Sequence, residues 1–91
     1  MNNKTRKDLH KIAGKMDELA GMLEDLKSQL EDIQEQEQDK YDNLPEQLQD
    51  TENGQRLSES ADNLYDLVDR LDSALSELWG ISEGVEQVTE I

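Results

Sequence analysis

The sequence predicts an all-α fold: an antiparallel hairpin of two long, coiled-coil-like helices joined by a short elbow helix, with two hairpins associating as a homodimeric four-helix bundle. Three observations predict it. Leu9, Ile12, Met16, Leu19, Leu23, Leu26, Leu30 and Ile33 recur at steps of three and four without a miss, an a/d heptad pattern. Leu57, Ala61, Leu64, Val68, Leu71, Leu75 and Leu78 repeat the same rhythm further on. Between the two lies the chain's one proline, Pro45, and the residue before a proline is pushed out of helical geometry.

The first helix is expected over residues 5–41. Thr5 followed by Asp8 has the spacing of a capping box. Leu9, Met16, Leu23 and Leu30 take position a, and Ile12, Leu19, Leu26 and Ile33 take position d. Gly14 and Gly21 fall at f, away from the predicted seam. After Ile33 the run Gln34-Glu35-Gln36-Glu37-Gln38-Asp39 is helix-compatible but has no apolar face. About 37 residues at about 1.5 Å each would make a helix about 55 Å long. At the elbow, Asn43 is expected to cap a helix of about two turns over residues 44–52, with Pro45 in its first turn. Asn53-Gly54 is read as a second break. A second long helix is expected over residues 55–89, so that residues 1–91 form one hairpin domain. Past Leu78 the pattern reads as drifting, because the next a position is Ser82 and the apolar face passes to Ile81, Val85 and Val88.

The second helix has a wide apolar face. Tyr65 and Trp79 fall at e, and Leu67, Ala74 and Ile81 at g. A face this wide touches more than one neighbour. Tyr65, Leu67, Trp79 and Ile81 are therefore the expected oligomer interface of a homodimer.

Composition narrows the function. The chain has 91 residues, 33% hydrophobic, with no Phe and one Trp. Such a chain can fill a narrow seam between helices but not a thick core. There is no Cys, so disulfide and thiolate chemistry are excluded. No apolar run approaches the roughly 20 residues of a membrane span, and residues 1–11 are charged, without an apolar signal region. The expected location is the cytoplasm, with no membrane partner.

Net charge is −14. Residues 1–16 carry five cations against Asp8, residues 17–40 sum to −7, and residues 41–91 carry thirteen acids against Arg56 and Arg70. Direct nucleic-acid binding needs a basic surface, so this chain is expected to bind basic partners instead. Lys4, Arg6, Lys7 and Lys11 oppose the positive end of their own helix dipole. An antiparallel fold would set Glu83, Glu86 and Glu90 beside them.

Catalytic signals are weak, and no cofactor, metal or small-molecule substrate is expected. The one histidine, His10, is expected on a solvated outer position. Di-metal bundle sites need Glu-x-x-His pairs, which the sequence lacks. Asp50-Thr51-Glu52-Asn53-Gly54 has the glycine one position early for a calcium loop, and Ala61 stands where the bidentate glutamate belongs. No phosphate-binding glycine loop or nucleophile–base pair is present.

The remaining feature is acidic. Asp17-Glu18, Glu24-Asp25 and Glu31-Asp32 recur every seven residues on the first helix, and Glu59, Asp62, Asp66, Asp69 and Asp72 form a stripe on the second. Rows of carboxylates on a rigid helix can imitate the phosphate rows of duplex nucleic acid; an ordinary solvated face is the plainer alternative. Glu59, Asp62, Asp66 and Asp69 are the first candidates for partner binding, followed by Glu24, Asp25, Glu31 and Asp32.

The elbow reads Tyr41-Asp42-Asn43-Leu44-Pro45-Glu46-Gln47-Leu48-Gln49-Asp50-Thr51-Glu52-Asn53-Gly54. These 14 residues resemble an N-hydrophobic-P-E-x-L-Q-x-S/T-x-x-G motif of small acidic helical accessory proteins from bacterial phages, prophages and mobile elements. Asn43, Pro45, Glu46, Leu48, Gln49, Thr51 and Gly54 match it. The group carries no common activity. The resemblance implies a setting, a phage accessory protein acting on a host protein; with the charge and the weak catalytic signals, the expectation is a non-enzymatic protein that binds a basic host partner in the bacterial cytoplasm. An inhibitor that mimics nucleic acid is the sharpest form of that expectation. A scaffolding coiled coil that only joins copies of itself or of a virion component is the alternative.

Overall fold

The computed structural model describes residues 1–91. It contains α1 (Asn3–Asp42), α2 (Glu46–Gln49) and α3 (Glu52–Thr89). The two long helices pack against each other, as the hairpin reading requires. By contact density the chain divides into two units. Unit 1 comprises Met1–Asp25 with Asp72–Ile91, and unit 2 comprises Leu26–Leu71.

In unit 1 the register is antiparallel. Arg6 Nε donates to the carbonyl oxygen of Thr89 at 3.2 Å. His10 Nδ1 lies 2.9 Å from Glu86 Oε2. The Ser82 hydroxyl donates to Asp17 Oδ1 at 2.5 Å and lies 3.4 Å from the carbonyl oxygen of Ala13. Ala13, Ala20, Leu75, Ser82 and Thr89 are the buried residues of this unit. Ala13 and Ala20 are one heptad apart, as are Leu75, Ser82 and Thr89. These rows therefore form the line of closest approach, and the distance between packed helices is set by the side chains on that line. Leu9, Met16, Leu23, Leu78 and Val85 are half-buried beside it.

This packing departs from the expected a/d seam. α1 meets α3 through its a row and, most closely, through Ala13 and Ala20 at e. Ile12 and Leu19, at d, remain 45% and 48% exposed. The cause is size: alanine lets the helices approach along the e row, and the larger d side chains turn aside.

The second pattern does not drift after Leu78. Ser82 and Thr89 continue the buried row of Ala61 and Leu75 at 3% and 7% exposure. They look polar in the sequence, yet both hydroxyls have partners: Ser82 on Asp17, and Thr89 Oγ1 on the carbonyl oxygen of Glu86 at 2.5 Å. A buried hydroxyl with a partner escapes most of the desolvation cost.

The first helix starts earlier than predicted. Asn2, not Thr5, is its N-cap: Oδ1 of Asn2 accepts the Thr5 backbone N–H at 2.8 Å. His10 is exposed as expected, but it contacts Glu86, so one of the predicted acidic partners at this end meets an imidazole rather than a lysine.

In unit 2, Gly54 and Ala61 are buried, and Leu30, Leu57, Leu64, Val68 and Leu71 are half-buried. Leu26 and Ile33, at d on α1, are 50% and 47% exposed, which repeats the arrangement of unit 1. No large side chain in the chain is fully buried.

Adjacent residues on α1 should respond in opposite directions. Ala20→Leu overfills the line of closest approach and should cost about 1–3 kcal/mol. Gly21→Ala meets nothing within 4 Å and should add about 0.4–1 kcal/mol by restricting the unfolded chain. Urea unfolding of both variants at one protein concentration checks this.

Candidate interaction surfaces

The elbow is the most specific constellation in the sequence, and its geometry shows what each motif residue does. α1 ends at Asp42. The Asn43 N–H still reaches the Asp39 carbonyl at 2.9 Å, and the Leu44 N–H closes a tighter turn on Tyr41 at 3.1 Å. Gln49 then turns back from α2: its Nε2 lies 3.3 Å from the Leu44 carbonyl oxygen and 3.4 Å from that of Tyr41. Tyr41 lies in the last turn of α1, where carbonyls lack i+4 donors, and Leu44 follows in the turn. Pro45, at φ −53° and ψ 144°, is the N-cap position of α2.

Thr51 joins α2 to α3. Its Oγ1 donates to the Leu48 carbonyl at 2.5 Å and accepts the Gly54 N–H at 3.3 Å. It therefore satisfies the end of one helix and the start of the next. Gly54 sits in the first turn of α3, so Asn53-Gly54 does not break the helix. No glycine in the chain has a positive φ, and Gly54 is required by space. A Cβ there would fall on the carbonyl oxygen of Gln49 and within 2.5 Å of that of Leu48. α2 is thus a single turn of four residues rather than the two turns predicted, because Thr51 ends it by starting α3. Asn43, expected as a cap, instead prolongs the hydrogen bonding of α1.

The acidic candidates lie on the helix exteriors. In unit 2, Glu59, Asp62, Asp66, Asp69 and Asp32 are exposed and Glu31 is half-buried. Glu31 lies 3.6 Å from Lys27 Nζ, and Asp66 3.9 Å from Arg70. In unit 1, Glu24 and Asp25 are exposed. Asp62 follows the buried Ala61 by one residue, and Asp69 follows the half-buried Val68 in the same way. One step along a helix is a turn of about 100°, so these carboxylates stand on one flank of the line of closest approach.

The four residues expected at an oligomer interface do not share a face. Tyr65 and Leu67 are two residues apart, as are Trp79 and Ile81, and a two-residue step turns a side chain by about 200°. All four are exposed, Tyr65 most at 68%. Leu67 precedes the α3 contact row by one residue, as does Ile81. Tyr65 and Trp79 fall on the opposite flank, with Asp72 and Glu86. The sequence signal that separates them is position relative to Ala61, Leu75 and Ser82, the small or buried members of the row.

No group of three or more His, Cys, Asp or Glu side chains is arranged to hold a metal ion. No helix is long and apolar enough to cross a membrane.

Two substitutions test the elbow. Gly54→Ala should destabilise the chain by about 1–3 kcal/mol, because the added methyl meets backbone rather than a mobile side chain. Thr51→Ala should cost about 1 kcal/mol through the lost cap. Thermal and urea unfolding check both. Comparison with protein families, with curated proteins and with solved structures finds no match to this chain.

Proposed function

We propose that the chain is a non-enzymatic protein–protein interaction module of phage or mobile-element type, which presents an acidic helical face to a basic, nucleic-acid-binding host protein. The observation that carries this reading is the placement of Glu59, Asp62, Asp66 and Asp69. All four are exposed, at three- and four-residue steps along one helix: Asp62 and Asp69 stand on the flank away from Leu67 and Ile81, and Glu59 and Asp66 face outward, away from the contact row. Such a row offers carboxylates in the periodic manner of a phosphate backbone, and a chain at −14 attracts a cationic groove over a distance set by salt. The phage setting rests on the elbow resemblance alone. The cytoplasm of a bacterial host is the location that setting implies.

Scaffolding is the second reading, favoured by a different observation: Ile12, Leu19, Leu26 and Ile33 are each about half exposed on one helix. In that case self-association is the function, and the acids keep the assembly soluble.

A pull-down from bacterial lysate, with and without excess duplex DNA, separates the two. The acidic-face reading expects capture of a basic nucleic-acid-binding protein that DNA competes away and that weakens steeply with ionic strength. Changing Glu59, Asp62, Asp66 and Asp69 to Lys should abolish capture and leave helical circular dichroism intact. Capture that survives these changes removes the acidic face from the function.

A further inference from the structure

We infer that the apolar side of each unit is covered by a second copy of this chain, forming a four-helix core through Ile12, Leu19, Ile81 and Val88 in unit 1 and through Leu26, Ile33 and Leu67 in unit 2. On both long helices the exposed apolar row stands one residue before the contact row. Ile12 precedes Ala13 and Leu19 precedes Ala20; Ile81 precedes Ser82 and Val88 precedes Thr89. Leu67 stands in the same relation to Val68. The residues one step after the contact row are Gly14, Gly21, Asp62, Asp69, Ser76, Glu83 and Glu90. In antiparallel helices that face each other, the same rotational offset falls on the same side of the pair. Each unit therefore has one apolar side and one polar or acidic side.

The apolar side is incompletely used. Ile12, Leu19, Ile81 and Val88 are 45%, 48%, 45% and 41% exposed, and Leu26, Ile33 and Leu67 are 50%, 47% and 47% exposed. Covering them with the half-buried rows beside them removes on the order of 700–1,000 Å² of apolar surface, near the roughly 800 Å² per partner of a standard interface. Heptad positions a and d have two neighbours in a four-helix bundle. Here α3 covers the a row, and the d row awaits the second neighbour.

Charge selects a second copy as the occupant. The rows that border the apolar side carry Asp8, Lys15 and Glu77 in unit 1, and Arg56 and Arg70 in unit 2. Arg56 and Arg70 are the two cations of residues 41–91. The border is mixed in sign although the chain is at −14. Two copies can meet on this side without setting acid against acid, whereas approach through the acidic side would be repulsive. Tyr65 and Trp79 lie outside the interface, and the acidic side stays free in the dimer.

Sedimentation equilibrium of the full chain, from about 1 to 100 μM in 0.15 M and 1 M NaCl, tests the inference. The expected mass is twice 10.4 kDa in both salts, because apolar packing is not screened. Leu19→Glu with Ile81→Glu should weaken the dimer at least 100-fold, whereas Tyr65→Glu with Trp79→Glu should leave it intact. A one-chain mass across the whole range overturns the inference, including the case in which the chain instead binds lipid vesicles or a different protein. A dimer that survives the first pair, or is lost with the second, overturns the proposed face. The result is independent of the acidic-face reading, which the lysine substitutions on α3 test separately.

Discussion

Everything else in this structure depends on how closely α1 and α3 approach each other. The approach is permitted by Ala13 and Ala20 on one helix and by Ala61, Ser82 and Thr89 on the other, all buried. Small side chains on the contact line trade buried volume for proximity. Proximity sets the a row of α1 on the flank of the line, where Leu9, Met16, Leu23 and Leu30 are half-buried; Leu75 is the one leucine on the line itself. Proximity also turns the d row of α1 away from α3. The absence of any fully buried large side chain follows from the same choice. A contact line made largely of alanine, serine and threonine encloses Leu75 and leaves the other leucines half-buried or exposed.

Close approach makes backbone and short side chains into partners. Ser82 reaches both Asp17 and the carbonyl of Ala13 across the helix pair, and the Arg6 guanidinium reaches a carbonyl in the last turn of α3. That contact places a cation at the negative end of the α3 dipole, where it is favourable. Arg6 is poorly placed for its own helix and well placed for the neighbouring one. The elbow follows the same logic. Gln49 supplies donors to the end of α1, Thr51 serves α2 and α3 at once, and Gly54 leaves room for the Leu48 and Gln49 carbonyls. The reversal is made without any residue at positive φ, so it relies on side-chain hydrogen bonds and one missing Cβ.

The two flanks of the contact line differ in chemistry, and the difference organises the functional reading. One flank carries the exposed isoleucines, leucines and valine within a border of mixed charge. The other carries Asp62, Asp69, Glu83 and Glu90, with Tyr65 and Trp79 nearby. Association of copies and recognition of a basic partner would use different flanks, so neither has to displace the other.

The sequence alone is enough for the helix count, the approximate ends of the two long helices, and the reversal at Pro45. These follow from hydrophobic period and proline stereochemistry, which act locally. It also marked the elbow residues by their spacing, although not their tasks: that Gln49 serves α1, or that Gly54 is needed for space, depends on groups brought together by folding. The tertiary structure decided which heptad row faces the partner helix. Heptad notation treats a and d as equivalent members of a seam, but Ala13 and Ala20 at e allowed a closer line and left Ile12 and Leu19 outside. It decided as well that Ser82 and Thr89 belong to the buried row: the Ser82 hydroxyl finds Asp17 only after the helices meet, whereas Thr89 bonds the Glu86 carbonyl of its own helix. Tyr65 and Leu67 are neighbours in sequence and both widen an apolar face on paper, yet a turn of about 200° sends them to opposite flanks. Only the position of the second helix defines those flanks.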